Sequence, residues 1–133
     1  MNLSEVSMLY VEDEDIVREI MCSFIRMKYP SIPIYSAGTS EEGLALFRQH
    51  HPSIIITDIN LAEADGIQMV RAIRRLDPNT IIIFVTGCSD VERLLEFGGG
   101  AACHYICKPI DHKELFALLD RHIPLEQITV HTM

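Results

Sequence analysis

The sequence lacks the segments that carry a protein into or across a membrane. No apolar run among the 133 residues approaches the roughly 18 residues of a transmembrane helix. The N-terminal residues Met1-Asn2-Leu3-Ser4-Glu5 contain no basic stretch followed by an apolar core, so no signal peptide is visible. We therefore expect a cytoplasmic protein with no membrane partner.

A surplus of positive charge is also missing. The formal net charge is -8 at pH 7. This balance disfavours nucleic acid as a direct partner, because a phosphate backbone selects basic surfaces. A bound divalent cation would neutralise part of the negative charge, and we expect the rest to be solvated surface.

The chain has no C-x-x-C pair and no composition that marks a linker, a repeat or a low-complexity segment. Buried free thiols are the preferred interpretation of the cysteines, with a zinc site or a disulfide as the alternative. The length predicts one domain over residues 1–124, followed by a tail or the start of a linker at 125–133. The four cysteines are Cys22, Cys88, Cys103 and Cys107.

What is present is a repeated alternation of apolar runs and helical periods. It predicts an α/β fold, with a parallel sheet covered by helices on both faces. Thr39 with Glu42 and Ser89 with Glu92 have the spacing of capping boxes. The predicted strands are Val6–Val11, Ile32–Tyr35, Ser53–Thr57, Thr80–Val85 and Tyr105–Cys107. The predicted helices are about Asp15–Met27, one from Thr39, one after Asp65-Gly66, one from Ser89 to the glycines at 98–100, and one capped by Asp111 that stops before Pro124.

Polar side chains follow the predicted strands where each strand ends. Glu12 and Asp13 follow the first strand, Asp58 follows the third, Thr86 the fourth and Lys108 the fifth. Because the carboxyl ends of parallel strands meet at one edge of a sheet, these groups are expected to converge there. The pattern predicts a site for a metal ion and a phosphoryl group.

The acidic residues suit a magnesium ion, a hard cation that prefers oxygen ligands. Glu12, Asp13 and Asp58 could supply carboxylate oxygens, and the backbone carbonyl of Asn60 could supply another. Without a cation, one of three such close carboxylates would tend to stay protonated. Taken alone, the run from Glu12 to Asp15 could also be an acidic helix start stabilised by the helix dipole.

Asp58 has the chemistry of a nucleophile. A carboxylate forms an acyl phosphate when a metal ion offsets the charge of the incoming phosphoryl group. Lys108 would pair with the phosphoryl oxygens, and the Thr86 hydroxyl could donate to one of them. Gly87 beside Thr86 leaves room for an approaching ligand.

The constellation resembles the receiver domain of two-component response regulators. Order and spacing agree over about residues 5–123. The resemblance implies a flavodoxin-like, three-layer sandwich with five helices around a five-stranded parallel sheet of order 2-1-3-4-5. The stretches that carry it are Leu9-Tyr10-Val11-Glu12-Asp13-Glu14, Ile56-Thr57-Asp58-Ile59-Asn60-Leu61 with Asp65-Gly66, Phe84-Val85-Thr86-Gly87, and Tyr105-Ile106-Cys107-Lys108-Pro109.

By position, the resemblance implies that Asp58 is the phospho-acceptor of a histidine kinase. Thr86 and Tyr105 correspond to the switch hydroxyl and the switch aromatic, and Lys108 to the family's lysine. Mg²⁺ is the implied cofactor. The metal ligands carried over are Glu12, Asp13, Asp58 and the backbone carbonyl of Asn60.

The resemblance also implies partners. The fourth helix, fifth strand and fifth helix would shift on phosphorylation and alter a surface for a downstream protein or a fused output domain, or for a homodimer. No output domain is visible, so we expect either a stand-alone receiver or a piece of a longer regulator. The Lys108–Pro109 bond is usually cis in the family, a geometry that proline permits.

The loop after Asp58 departs from the family pattern. Ala62 stands where a proline is usual, and Ala64 occupies another apolar position of the same loop. We expect this change to bear on the rigidity of the loop and on the lifetime of the phosphate.

Two other functions share parts of this pattern. A phosphohydrolase of the haloacid dehalogenase type also uses an aspartyl nucleophile, a hydroxyl, a lysine and magnesium. It carries a D-x-D pair whose second aspartate is the general acid, and here that position is Asn60, so we do not expect an enzyme. A receiver-like module that binds proteins without phosphorylation is the other alternative.

Overall fold

The computed structural model describes residues 6–62, 64–97 and 102–124. Its parallel sheet has the order β2-β1-β3-β4-β5 that was predicted. The strands are β1 (Met8–Val11), β2 (Ile34–Ala37), β3 (Ile54–Asp58), β4 (Ile81–Thr86) and β5 (Cys103–Cys107). The helices are α1 (Asp15–Lys28), α2 (Ser40–His50), α3 (Gly66–Leu76), α4 (Val91–Phe97) and α5 (His112–His122), and a 3-10 turn, Cys88–Asp90, precedes α4.

Each strand sends alternate side chains to opposite faces of the sheet, and each face has its own apolar core. On one face, Met8 and Tyr10 of β1 pack with α1 and α5. On the other, Leu9 and Val11 pack with residues of α2, α3 and α4. The central strands β3 and β4 are apolar and buried almost throughout, as expected when helices cover both faces of a parallel sheet.

Side-chain caps fix where three helices begin. Thr39 accepts a hydrogen bond from the backbone N–H of Glu42, and Asp111 accepts one from that of Lys113, so both predicted caps are confirmed. Glu42 returns a bond to the N–H of Gly38 rather than to that of Thr39. Asp65 caps α3 in the same way.

Several predicted boundaries were wrong by a few residues. Ile32 is buried, but its N–H bonds back to the Tyr29 carbonyl in a turn, so β2 runs from Ile34 to Ala37. β1 begins at Met8 rather than at Val6. β5 begins earlier than predicted, at Cys103, because that residue pairs with Ile82 of β4.

The capping box predicted at Ser89 was also wrong. Ser89 lies inside the 3-10 turn, and α4 begins two residues later, at Val91. The predicted helix stop at residues 98–100 and the predicted tail at 125–133 lie outside the described residues.

Helix α1 has two apolar faces. Met21, Cys22 and Ile25 are buried against the sheet. A second row of apolar side chains remains exposed, and it consists of Ile16, Ile20, Phe24 and Met27. Within the described ranges, no helix is long and apolar enough to cross a membrane.

Candidate functional site

The structure brings the predicted strand-end residues to one edge of the sheet. Asp58 is the last residue of β3 and Thr86 the last of β4, while Glu12 and Lys108 directly follow β1 and β5. Parallel pairing places β3 between β1 and β4, so Asp58 occupies the middle of this edge. Residues far apart in the sequence thereby form one cluster.

Asp58 is almost fully buried, and both of its carboxylate oxygens are bound. Oδ1 accepts a hydrogen bond of 3.1 Å from the backbone N–H of Asn60, and Oδ2 accepts one of 2.5 Å from Nζ of Lys108. Burial alone would lower the pKa of Lys108, but its hydrogen bond to Asp58 and the negative charges around it raise that pKa above the ordinary value. Lys108 is therefore held as a cation against the carboxylate.

Glu12 is the second buried carboxyl group of the site. Its Oε2 accepts a hydrogen bond of 3.1 Å from the backbone N–H of Glu14. Burial raises the pKa of Glu12, and the neighbouring Asp13 and Asp58 raise it further, against the opposing effects of Lys108 and the Glu14 N–H. A cation placed among these carboxyl groups would offset the cost of their charges.

Asp13 connects the acidic pair to the loop after β3. Its Oδ2 accepts a hydrogen bond of 2.9 Å from the backbone N–H of Ala62. The loop that departs from the family pattern is thus tied to the site by the Ala62 backbone N–H, a donor that the family's usual proline would lack.

The oxygen-rich donor set fits Mg²⁺, which takes one or two protein carboxylates and retains several waters. The burial of two carboxyl groups, those of Glu12 and Asp58, at one edge of the sheet is the observation that favours a cation here. Among the described residues, no group of three or more His, Cys, Asp or Glu side chains forms a ready-made metal cage. The buried carboxyl groups therefore suit a magnesium ion that keeps several of its waters.

Thr86 is buried, whereas the side chain of Tyr105 is exposed at the surface. Thr86 is fully buried, and its hydroxyl donates to the Gly87 carbonyl at 3.0 Å. A methyl group added at Gly87 would come no nearer than 3.9 Å to Asp90 or Ser89, so this position is open. Tyr105 is 46% exposed and lines a cavity of about 410 Å³ between β5 and α5. The predicted switch aromatic therefore faces outward.

The structure also shows contacts around Asp58 that the sequence does not reveal. A Cβ atom at Gly66 would lie 2.1 Å from the Asp58 carbonyl oxygen, so the first residue of α3 packs directly on the backbone of Asp58. The Asn60 side chain donates to Asp90 and accepts from Arg93 of α4. The i,i+3 spacing of Asp90 and Arg93 was visible in the sequence, but their contact with Asn60 joins distant segments and was not.

The cysteine side chains and the Lys108–Pro109 peptide bond were also the subject of predictions. Cys22 is a buried thiol, as predicted, whereas Cys103 and Cys107 are only partly buried, and none of these three forms a disulfide within the described residues. The side chain of Cys88 lies outside the described part of the chain. Burial raises the pKa of both Cys22 and Cys103. The Lys108–Pro109 peptide bond is cis.

Comparison with known proteins assigns the family. The sequence profile described as the response regulator receiver domain matches residues 8–120. The chain belongs to this family. It is a receiver domain of the kind found in two-component response regulators, and such domains serve phosphorelay signalling.

Curated relatives of the receiver domain are longer proteins. Regulatory protein AtoC of Escherichia coli (strain K12) is 29% identical over 120 residues, which are 90% of this chain and 26% of AtoC. Probable C4-dicarboxylate response regulator DctR of Priestia megaterium is 30% identical over 125 residues, which are 92% of this chain and 54% of DctR. The receiver domain thus spans about a quarter to about half of these two relatives.

Solved structures agree with the fold. A two component transcriptional regulator AraC from Clostridium phytofermentans ISDg has a TM-score of 0.77 and 29% identity, covering 96% of this chain and 98% of that chain. A response regulator receiver domain protein from Clostridium thermocellum has a TM-score of 0.80 at 23% identity, covering 89% of this chain and 94% of that chain. Receiver domains are generally signalling modules that bind Mg²⁺.

Proposed function

We propose that this receiver domain is phosphorylated on Asp58 by a sensor histidine kinase in a magnesium-dependent reaction. The observation that carries the proposal is the buried Asp58 carboxylate, which is bound to Lys108 at 2.5 Å beside buried Glu12. An aspartate that served only to hold the lysine would not need a second buried carboxyl group next to it. A cytoplasmic location, where ATP supplies the kinase, belongs to the same proposal.

In the proposed reaction, a carboxylate oxygen of Asp58 attacks the phosphorus atom of a phosphohistidine. The new O–P bond forms as the P–N bond breaks, and the bonding electron pair leaves with the imidazole of the kinase. Lys108 is already beside the carboxylate, so its charge can stabilise the phosphoryl oxygens without a rearrangement.

Glu12, Asp13, Asp58 and the backbone carbonyl of Asn60 would hold the magnesium ion. When bound, Mg²⁺ supplies positive charge that offsets the charges of the carboxylates and of the phosphoryl group. The protein's own contribution is to bury Glu12 and to fix Asp13 against the loop through its hydrogen bond with Ala62.

Phosphorylation would be transmitted through Thr86 and Tyr105. Thr86 would turn its hydroxyl from the Gly87 carbonyl to the phosphoryl group, and Tyr105 would turn inward from its exposed position. The surface formed by α4, β5 and α5 would change as a result, because Tyr105 lies in β5 and Thr86 ends the neighbouring strand β4. The partner would be a downstream protein, a fused output domain or a second copy of this domain.

We also propose that the domain is not itself an enzyme. A phosphohydrolase of the haloacid dehalogenase type carries its general acid two residues after the aspartyl nucleophile, and here that residue, Asn60, is an amide bound to Asp90 and Arg93.

Incubation with acetyl phosphate and Mg²⁺ tests the proposal. We expect one phosphoryl group per chain, located at Asp58 by mass spectrometry of proteolytic fragments. Asp58→Asn should abolish the label, whereas the matched variant Asp77→Asn, at the far end of α3, should retain it. Absence of label under conditions that label a known receiver would contradict the proposal, and continuous turnover of a phosphate monoester would favour the hydrolase instead.

A further inference from the structure

A network of four side chains joins the loop after β3 to the start of α4. Asn60 donates through Nδ2 to Asp90 Oδ2 at 2.9 Å and accepts from Arg93 Nη1 at 3.2 Å. Arg93 also forms an ion pair with Asp65 through Nη2, and its Nη1 lies 3.7 Å from Asp90 Oδ1. We call these four residues, Asn60, Asp65, Asp90 and Arg93, the Arg93 network.

The network reaches the acceptor carboxylate through one residue. The backbone N–H of Asn60 donates to Asp58 Oδ1, so the residue held by Arg93 also touches the proposed phosphorylation site. Asp65 is fixed from the other side, because its Oδ1 caps α3 by accepting from the Ile67 N–H at 2.8 Å. Arg93 therefore ties α4 to two points of the loop that are anchored independently of α4.

Arg93 is well suited to this position. Its planar guanidinium carries several donors in a fixed arrangement and can serve two acceptors at once, which a lysine ammonium does less well. Of the two acidic partners, Asp65 ends the loop after β3 and Asp90 lies in the 3-10 turn before α4, so the one cation joins two segments whose carboxylates would otherwise repel each other.

We propose that Arg93 is a positioning residue that couples α4 to the state of Asp58, acting through Asn60. The proposal rests on the proposed phosphorylation of Asp58. In the unphosphorylated domain, the Arg93 network holds α4 against the loop, and phosphorylation releases it.

Both ends of the network change when Asp58 is modified. A phosphoryl group would alter the oxygen that accepts from the Asn60 N–H. If Thr86 turned toward that group, its hydroxyl would leave the Gly87 carbonyl, which also accepts from the Asp90 N–H at 3.0 Å. Asn60 and Asp90 are thus disturbed together, and Arg93 bonds to Asn60 and lies beside Asp90.

The first test uses the unphosphorylated domain. Arg93→Ala should increase amide hydrogen exchange across α4 by about three- to tenfold, the size expected when a partly exposed ion-pair network is lost. Arg93→Lys should give an intermediate value, since it keeps the charge but not the planar fork. Arg75→Ala, an exposed arginine near the end of α3, is the matched control and should leave exchange in α4 unchanged.

A second variant distinguishes the loss of the Arg93 network from a general loss of packing around α4. Asp90→Ala should increase exchange in α4 by a similar factor, and the double variant with Arg93→Ala should add little, because both changes break one network. Unchanged exchange in Arg93→Ala, or fully additive effects in the double variant, would overturn the proposal.

The third test measures coupling to the site. Beryllium fluoride with Mg²⁺ mimics a bound phosphoryl group, and by linkage a network present only in the free state weakens its binding. Arg93→Ala should therefore bind beryllium fluoride about three- to tenfold more tightly than the unmodified protein or Arg75→Ala. Equal affinities would refute the coupling. If the unmodified protein neither bound beryllium fluoride nor accepted phosphate, that result would count against the proposed function, and the hydrogen-exchange test of the Arg93 network would still stand.

Discussion

At the scale of single residues, the site depends on close contacts as much as on charged groups. Asp58 is held by Lys108 and by the backbone of Asn60 on its carboxylate. Its own backbone is contacted by Gly66, whose N–H donates to the Ile59 carbonyl at 2.6 Å. The sequence showed the aspartate and the lysine, but the contact with Gly66 becomes visible only when α3 is placed against β3.

Substitution of Gly66 should therefore disturb the site. In Gly66→Ala, the added methyl group would collide with the Asp58 carbonyl, and we expect a loss of about 1–3 kcal/mol in the free energy of unfolding, measured with urea. Labelling of Asp58 by acetyl phosphate should slow as well.

Gly38→Ala is the control for that experiment, because its methyl group would meet the end of the Arg18 side chain at 3.0 Å rather than a backbone atom. We expect it to cost less than about 0.5 kcal/mol. Equal losses in the two variants would show that Gly66 has no special role at the site.

At the scale of elements, the helical period of the sequence does not by itself determine which face of α1 is buried. The predicted period contained residues of both faces, and burial against the sheet separates Val17, Met21 and Ile25 from the exposed row that starts at Ile16. Packing, rather than hydropathy, decides the orientation of the helix.

This orientation can be tested by two matched truncations. Ile25→Ala should lower the free energy of unfolding by about 2–4 kcal/mol, since it removes a fully buried side chain. Ile16→Ala, at a position that is 73% exposed, should change it by less than about 0.5 kcal/mol. Similar losses in urea unfolding would mean that Ile16 and Ile25 are buried to a similar extent, which contradicts this orientation of α1.

The contact between β5 and α5 contains a histidine pair. The rings of His104 and His122 are 5.2 Å apart, and both Nε2 atoms are buried without a hydrogen-bond partner in the described part of the chain. Burial lowers the pKa of His122, and the positive charges of His104 and Arg121 lower it further.

Stability should consequently depend on pH through His122. As the pH falls, His122 becomes protonated in the unfolded chain near its ordinary pKa of 6.5, and in the folded protein only at the lower, folded-state pKa. Protonation therefore favours the unfolded chain, and the free energy of unfolding should fall as the pH falls from 6.5 through the lowered pKa of the folded state. His122→Gln should flatten this dependence, whereas His112→Gln, at an exposed position, should not. Identical pH profiles for His122→Gln and the unmodified protein would contradict the assignment.

At the scale of the whole molecule, the acidic edge of the sheet is the place where a cation can act on stability. Glu12 is buried with a raised pKa and lies among other acids, so its ionised form is costly without a counter-ion. The net charge of -8 adds a general repulsion that a bound cation reduces.

Magnesium should therefore stabilise the fold. At about ten times its dissociation constant, Mg²⁺ should add roughly 1.4 kcal/mol to the free energy of unfolding, and chelation should remove this gain. Glu12→Gln should lose most of the gain while remaining as stable as the unmodified protein without metal. Sodium at equal ionic strength is the control, and an equal effect of the two cations would mean that no specific site exists.

The sequence by itself determined the order of the elements, the helix caps at Thr39 and Asp111, and the strand-end positions of Glu12, Asp58, Thr86 and Lys108. Local periodicity and capping chemistry are encoded over a few residues, so they can be read directly from the chain. Only the tertiary structure decided that Gly66 touches Asp58, that Arg93 reaches Asn60, that Tyr105 faces outward and that one apolar row of α1 stays exposed. These features arise where segments distant in sequence pack together, and neither period nor spacing along the chain specifies which of their side chains meet.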